Sequence, residues 1–431
     1  DGQAGTLALT ADRAALFTDS RYWDRAEAEL AGTGIELVRV GPANRGVHMD
    51  WLVSNSAPGG TVLTDGACLS IAEGEALEAR LSEAGLRLRA GDDLLDGLWA
   101  DRPDRPAGPI EAHAEPWRGA PRSDRLARVR ARMAELGASH HLLSALEDIA
   151  WLTTLRGRDI RFNTLFLAHM LVTPGAVLLF AGQGRIDPAL EAELRADGIE
   201  IHPYEVVADR LARLPAGATL LLDPARTSLA LLRAVPEGCT ILRGTPPSTI
   251  LKTCKCPVEI RGFRATAEAD GAALCRFHAQ FEASLAAGEA WDEWKVHEQL
   301  TAERARHPLF RGPAFLSIAG FNANGALPHH APSLTDPTPI RGDGILLIDS
   351  GGQYLSGTTD VTRIWAVGEV PHEARLAATC ALQGLIAYSS ARLPHGLRAP
   401  MLDALARGPL WAEGLDYGHG TGHGIGHHLP V

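Results

Sequence analysis

The sequence predicts two tandem α/β domains followed by a third domain of mixed α+β character that carries the chemistry. Three observations lead there. First, the front half repeats itself. Leu30–Leu37 (LAGTGIEL) parallels Leu194–Ile201 (LRADGIEI), Thr10–Phe17 (TADRAALF) parallels Thr173–Phe180 (TPGAVLLF), and Thr61–Asp65 parallels Thr219–Asp223, in the same order and at offsets of 158–164 residues. Second, Pro103–Pro121 and Gly244–Ser248 are rich in proline and glycine and read as linkers. Third, no copy of the repeat follows residue 248, where polar, glycine-rich motifs gather instead. The expected domains are therefore 1–117, 118–247 and 248–431.

Each repeat reads strand, turn, helix, turn, strand. The second copy opens with a helical stretch, Ser123–Leu136, in which Leu126, Val129, Met133 and Leu136 share a face and Ser123 is a candidate cap. Apolar segments follow at His141–Leu146 and Ile149–Leu152. The first copy lacks this lead, so the repeat predicts that its own start lies ahead of Asp1. In the third domain, Val258–Ala287 and Trp291–Arg306 have helical spacing. Strand-like runs then dominate to Gly368, and helical spacing returns at Arg375–Ser390 and Leu402–Trp411.

At 431 residues, 45% of them hydrophobic, the chain can bury substantial cores. No apolar run reaches the roughly 18 residues of a membrane helix. A net charge of −11 argues against nucleic acid as a partner. It suits a cationic substrate such as a free peptide N-terminus, although most acidic proteins are acidic for solubility alone. The six cysteines, at 68, 239, 254, 256, 275 and 380, form no zinc pattern and read as reduced thiols of a cytoplasmic protein.

The chemistry is concentrated in three stretches. Ile345–Ile348 is a short apolar run ending in Asp349, which suggests a buried strand. Thr358–Val367 is a second strand, rich in β-branched residues. Gly351, Gly352, Ser356 and Gly357 supply a turn between them, so a hairpin would set Asp349 and Asp360 close together on one face, with a bulge where the count requires one. Two carboxylates so placed repel unless a cation lies between them. Four histidines alternate with glycines in Gly418–His428: His419, His423, His427 and His428. Asn324–Pro332, with His329 and His330, is a third polar knot. Each aspartate alone could merely cap a turn, and the histidines could be incidental in a flexible loop. Together, carboxylates and imidazoles describe an oxygen-rich site for divalent cations. No His-Glu-x-x-His, Gly-x-Ser-x-Gly or phosphate-binding glycine loop occurs.

At these residues the chain resembles the metal-dependent Xaa-Pro aminopeptidases of the "pita-bread" metallopeptidase superfamily, in their long three-domain branch. Asp349–Arg363 resembles the family's metal-ligand hairpin, Tyr417–Gly426 its histidine loop, and Asn324–His329 its substrate-histidine segment. Asp1–Thr6 and Thr18–Tyr22 match its first, non-catalytic domain. The resemblance implies two creatinase-like α/β domains ahead of a pita-bread catalytic domain. It implies that Asp349 binds one metal, Asp360 bridges two and His423 ligates one, with two further glutamate ligands expected past Val431. His329 and His419 would assist the substrate and the tetrahedral intermediate. Two divalent ions, usually manganese, would hold a bridging hydroxide that attacks the bond before proline in peptides with a free amino group. A homodimer is expected. His427 and His428 match no ligand position and read as surface or loop residues. By the same analogy, the expected chain is a fragment lacking part of its catalytic domain and itself inactive.

Three other readings compete. A prolidase of the same superfamily would cut dipeptides, but such chains typically carry one leading domain. An inactive pita-bread module binding peptides or proteins would have lost ligands, whereas Asp349, Asp360, His329 and His423 all stand. A metal-free creatine-type hydrolase would leave those residues unexplained.

Overall fold

Residues 4–41, 46–91 and 93–431 are described by a computed structural model. Asp1, Gly2 and Gln3 of the leading family match lie outside the described residues. In the first layer, Thr6–Leu9 pairs antiparallel with Ala14–Asp19, which pairs parallel with Glu36–Val40. Thr61–Asp65 pairs parallel with Arg87–Gly91. The second layer repeats this plan. His169–Val172 pairs antiparallel with Val177–Phe180, which pairs parallel with Ile199–His202, and Thr219–Leu222 pairs parallel with Thr240–Arg243. Here the strand His140–Leu143 sits between the two groups and joins them into one six-stranded sheet. Its four residues are all buried, as expected of a central strand covered on both faces.

The stretch read as a linker is partly strapped down. Ile110 bridges to Ile186 and is buried, and Glu111–Ala112 pairs with Leu155–Arg156. A buried apolar side chain holds the chain to the second layer where composition alone suggested a free connection. The leading and second layers also meet: Ile71 donates its N–H to Thr227 O at 2.9 Å and Leu229 donates to Leu69 O at 2.8 Å.

The third region opens on the helix Pro257–Ala286. Cys256 and Glu259 make a capping box at its start, and proline stands at its first position. Phe277 and Phe281 of this helix pack with Trp291, Leu346 and Ile348 in one buried cluster. Trp291 and Asp292, expected to start the next helix, instead form a short strand with Pro339–Ile340, and the helix runs Glu293–Ala305. Asp292 is its cap and accepts from Lys295 N at 2.7 Å. A fully buried ion pair, Arg304 with Asp270 at 2.7 Å, is shared with the Tyr354 hydroxyl and Ser350, and ties both helices to the strands that carry the site.

Candidate metal centre and substrate histidines

The strand Gly344–Ser350 lies between Ile318–Phe321 and Val361–Val367 in an antiparallel sheet. Leu346, Ile348 and Ser350 point into the interior, so the period of two places Asp349 on the opposite face. The chain then leaves this sheet. Gly352–Tyr354 pairs with Phe310–Pro313 and with Gly357–Thr358 in a second sheet before the strand Val361–Val367 returns to the first. Residues 351–358 are thus a small hairpin of their own and not a turn, and Thr358 belongs to it. Burial of Gln353, Tyr354 and Thr358 draws them into the neighbouring sheet. The crossing point is tight. A Cβ at Gly351 would stand 2.0 Å from the Thr359 carbonyl oxygen, so only glycine fits there. Asp349 and Asp360 flank this crossing.

The two carboxylates are close enough for the charge of one to act on the other. Burial, and second the charge of Asp360, push the Asp349 carboxyl above its ordinary value. One oxygen of Asp349, Oδ1, is buried with no hydrogen-bond partner. His423 Nε2 lies 3.2 Å from Asp360 Oδ2. The His423 Nδ1 is engaged with the Gly424 carbonyl at 3.0 Å, which leaves the Nε2 lone pair for a cation.

The histidine loop has little regular structure and is pinned from the helix Asp403–Ala412. Arg407 donates to Tyr417 O at 2.6 Å and to His419 O at 2.7 Å, and lies over the Tyr417 ring at 3.9 Å. Thr421 donates to Asp403, and its hydroxyl meets that of Tyr417 at 2.7 Å. His419 stacks on Tyr417 and is exposed. On the other side, Glu293 is buried and accepts from Phe321 N, Asn324 Nδ2 and His330 Nε2 at 2.7, 3.0 and 2.7 Å. This fixes the segment carrying His329. The charges of Asp349 and His419 both act on His329.

His427 and His428, expected at the surface, are instead buried at 4% and 5% exposure. Their backbone explains it. Arg156 donates to the His427 carbonyl at 3.0 Å and to the His428 carbonyl at 2.5 Å, and Thr164 adds a bond to His428 O at 2.7 Å. Leu429 joins the core of the second layer. With their main-chain groups satisfied, the imidazoles pack against His113 and Phe263, and desolvation holds both far below the ordinary histidine value.

The contacts around Asp349, Asp360 and His423 are pairwise. Among the described residues, no three His, Cys, Asp or Glu side chains gather closely enough to hold an ion by themselves. The donors nonetheless suit a divalent cation. A buried, unpartnered carboxylate oxygen beside a second carboxylate and a correctly oriented imidazole is costly without a positive charge among them.

Residues 101–259 match the model of the creatinase/prolidase N-terminal domain, and residues 261–430 match that of metallopeptidase family M24. A probable Xaa-Pro aminopeptidase P of Laccaria bicolor is 36% identical over 439 residues, spanning 100% of this chain and 68% of that protein. The chain belongs to the Xaa-Pro aminopeptidase P family. Its architecture is that of the family, creatinase-like α/β layers followed by a pita-bread metallopeptidase domain. A probable Xaa-Pro aminopeptidase P of Aspergillus fumigatus is likewise 36% identical, with 67% of its length covered. Among solved structures, an X-prolyl aminopeptidase from Caenorhabditis elegans, described as a cytosolic enzyme with a di-nuclear active site, superposes with a TM-score of 0.93 at 28% identity. The match covers 99% of this chain and 71% of that one. Among the described residues no helix is long and apolar enough to cross a membrane.

Several residues at the site carried no role in the sequence reading: Ser20 and Tyr22 from the leading layer, Glu293, and the Asp403–Arg407 pair. Thr18–Tyr22 was legible as a family match, but nothing local says that it reaches the site. Glu293 looks like an ordinary acidic residue in the first turn of a helix.

Proposed function

We propose that this protein is a metal-dependent aminopeptidase that releases the first residue from peptides with proline in second position. The observation that carries this reading is the buried, unpartnered Asp349 Oδ1 beside Asp360 and His423, with His329 and His419 at hand. Asp349, Asp360 and His423 would hold the metal ions. Two divalent cations, manganese in this reading, supply Lewis acidity to water and to the scissile carbonyl when bound. His329 and His419 orient the substrate and donate hydrogen bonds to the oxygen that gains charge as the carbonyl is attacked.

Residues 1–117, 118–247 and 248–431 are the three domains of this reading. The six free thiols fit a reducing, cytoplasmic compartment. A homodimer is also proposed. The helices His372–Ser389 and Asp403–Ala412 pack together and expose Leu382, Leu385, Ile386 and Trp411, an apolar face that a second copy would cover.

The test is substrate choice. The complete, manganese-loaded enzyme should release the first residue from Xaa-Pro-Xaa tripeptides and longer peptides, and acetylation of the N-terminus should abolish cleavage. Cleavage of acetylated peptides, or activity confined to dipeptides, would reject the reading.

A further inference from the structure

We propose that Tyr22, contributed by the leading layer, is a positioning residue that holds the imidazole of His329 with Nε2 as its donor toward the substrate. The proposal rests on the role given to His329 above. The Tyr22 hydroxyl lies 2.5 Å from His329 Nδ1, and the two rings meet edge to face at 5.1 Å and 82°. Among the described residues it is the hydrogen-bond partner of that ring. Of the two groups, the phenol is the better donor and the neutral imidazole the better acceptor. A proton donated into Nδ1 requires the ring's own proton to sit on Nε2. Burial, and second the nearby Arg21 guanidinium, favour the neutral ring.

Tyr22 is itself firmly placed. It is 5% exposed. Its backbone N–H closes a turn on Asp19 O at 3.0 Å. Within that turn Asp19 holds Arg21 by two bonds, at 2.9 and 2.7 Å, and Trp23 Nε1 donates to Thr18 O at 2.9 Å. The same turn braces the histidine loop. Ser20 Oγ donates to the carbonyl of Gly418, the residue before His419. A Cβ at Gly418 would meet the Ser20 side chain at 3.3 Å, a tight contact that marks how closely the two segments approach. On its far side the His329 segment is held by Glu293 through Asn324 and His330. The imidazole is thus fixed between a catalytic-domain anchor and a hydroxyl from the leading layer. In this arrangement that layer is part of the active site and more than a spacer.

The experiment is a double-mutant cycle on the whole, metal-loaded protein, with Tyr22→Phe, His329→Gln and the pair together. Tyr22→Phe keeps the buried ring and removes only the hydroxyl. It should lower kcat about tenfold with KM changed much less, and leave the melting temperature in place. In the His329→Gln background the same change should cost nothing further. If His329→Gln is as active as the parent, the role assigned to His329 fails. If His329→Gln is impaired but Tyr22→Phe is not, or if the two losses multiply, the role assigned to Tyr22 fails. Nitrogen-15 spectra of the histidine-labelled parent protein, loaded with diamagnetic magnesium and with the His329 signal assigned by its loss in His329→Gln, give a readout independent of turnover. The proposal requires the Nε2–H tautomer, and an Nδ1–H ring would overturn it.

Discussion

Asp349 and Asp360 illustrate how much of a site single residues can announce. Two carboxylates eleven positions apart, with an imidazole loop downstream, point to cation chemistry from residue type alone, and in the structure His423 lies beside Asp360. Their partners were less legible. The contact of Tyr22 with His329 spans 307 positions, and no local pattern encodes it. His427 and His428 show the opposite error: polar, glycine-flanked residues read as exposed, yet Arg156 and Thr164 satisfy their carbonyls and allow burial. At this scale the firmest expectation is for Asp360→Asn. A neutral amide offers a cation a weaker and differently shaped donor, so turnover should fall by about two orders of magnitude or more. Manganese titrated calorimetrically should show the tighter binding event weakened. Near-parental turnover by this variant would remove Asp360 from the ligand set.

Whole elements were read well where periodicity was strong. The helix Pro257–Ala286 lies within one residue of its expected bounds at each end. They were read less well where short strands change sheets, because the partner that draws Gln353–Tyr354 aside lies at Phe310–Pro313 and not in the hairpin itself. The central strand His140–Leu143 carries a further consequence of burial. His141 donates from Nδ1 to Leu221 O at 3.0 Å, while its Nε2 is buried without a partner, and desolvation lowers its value from 6.5 to about 4. The unfolded chain therefore binds the proton first as pH falls. This contribution to stability is complete above about 6.5, declines toward 4 and is flat below, a total of about 3 kcal/mol. His141→Asn removes the titration and keeps a donor. Urea midpoints between pH 7 and pH 4 should show the gap between parent and variant narrowing on that interval. A gap that does not change with pH would exclude His141 as the cause.

On the scale of the whole molecule, every unit touches the other two. The leading layer reaches His329 and Gly418 through Tyr22 and Ser20. The second layer seats the end of the histidine loop through Arg156. Lys252, after the second linker, pairs with the buried Asp148 at 2.7 Å. The order of the units was legible from the repeat, whereas their mutual packing was not, since each interface is made of scattered contacts, polar ones and single buried side chains such as Ile71 and Leu429, with no sequence periodicity. The proposed homodimer belongs to this scale too. Leu385→Glu places a charge on the exposed apolar face and leaves the interior untouched. Sedimentation should show a dimer for the parent and a monomer for the variant, with little change in melting temperature. A monomeric parent, or an unchanged variant dimer, would exclude this face as the interface.

The turn that holds Tyr22 also sets a clock. A ribosome adds roughly 5–20 residues per second, so the 307 positions from Tyr22 to His329 take about 15–60 s, and the 398 from Ser20 to Gly418 about 20–80 s. The leading layer is thus in place well before the loops it braces have been made. The order of synthesis thus sets the earliest moment at which these two contacts can form.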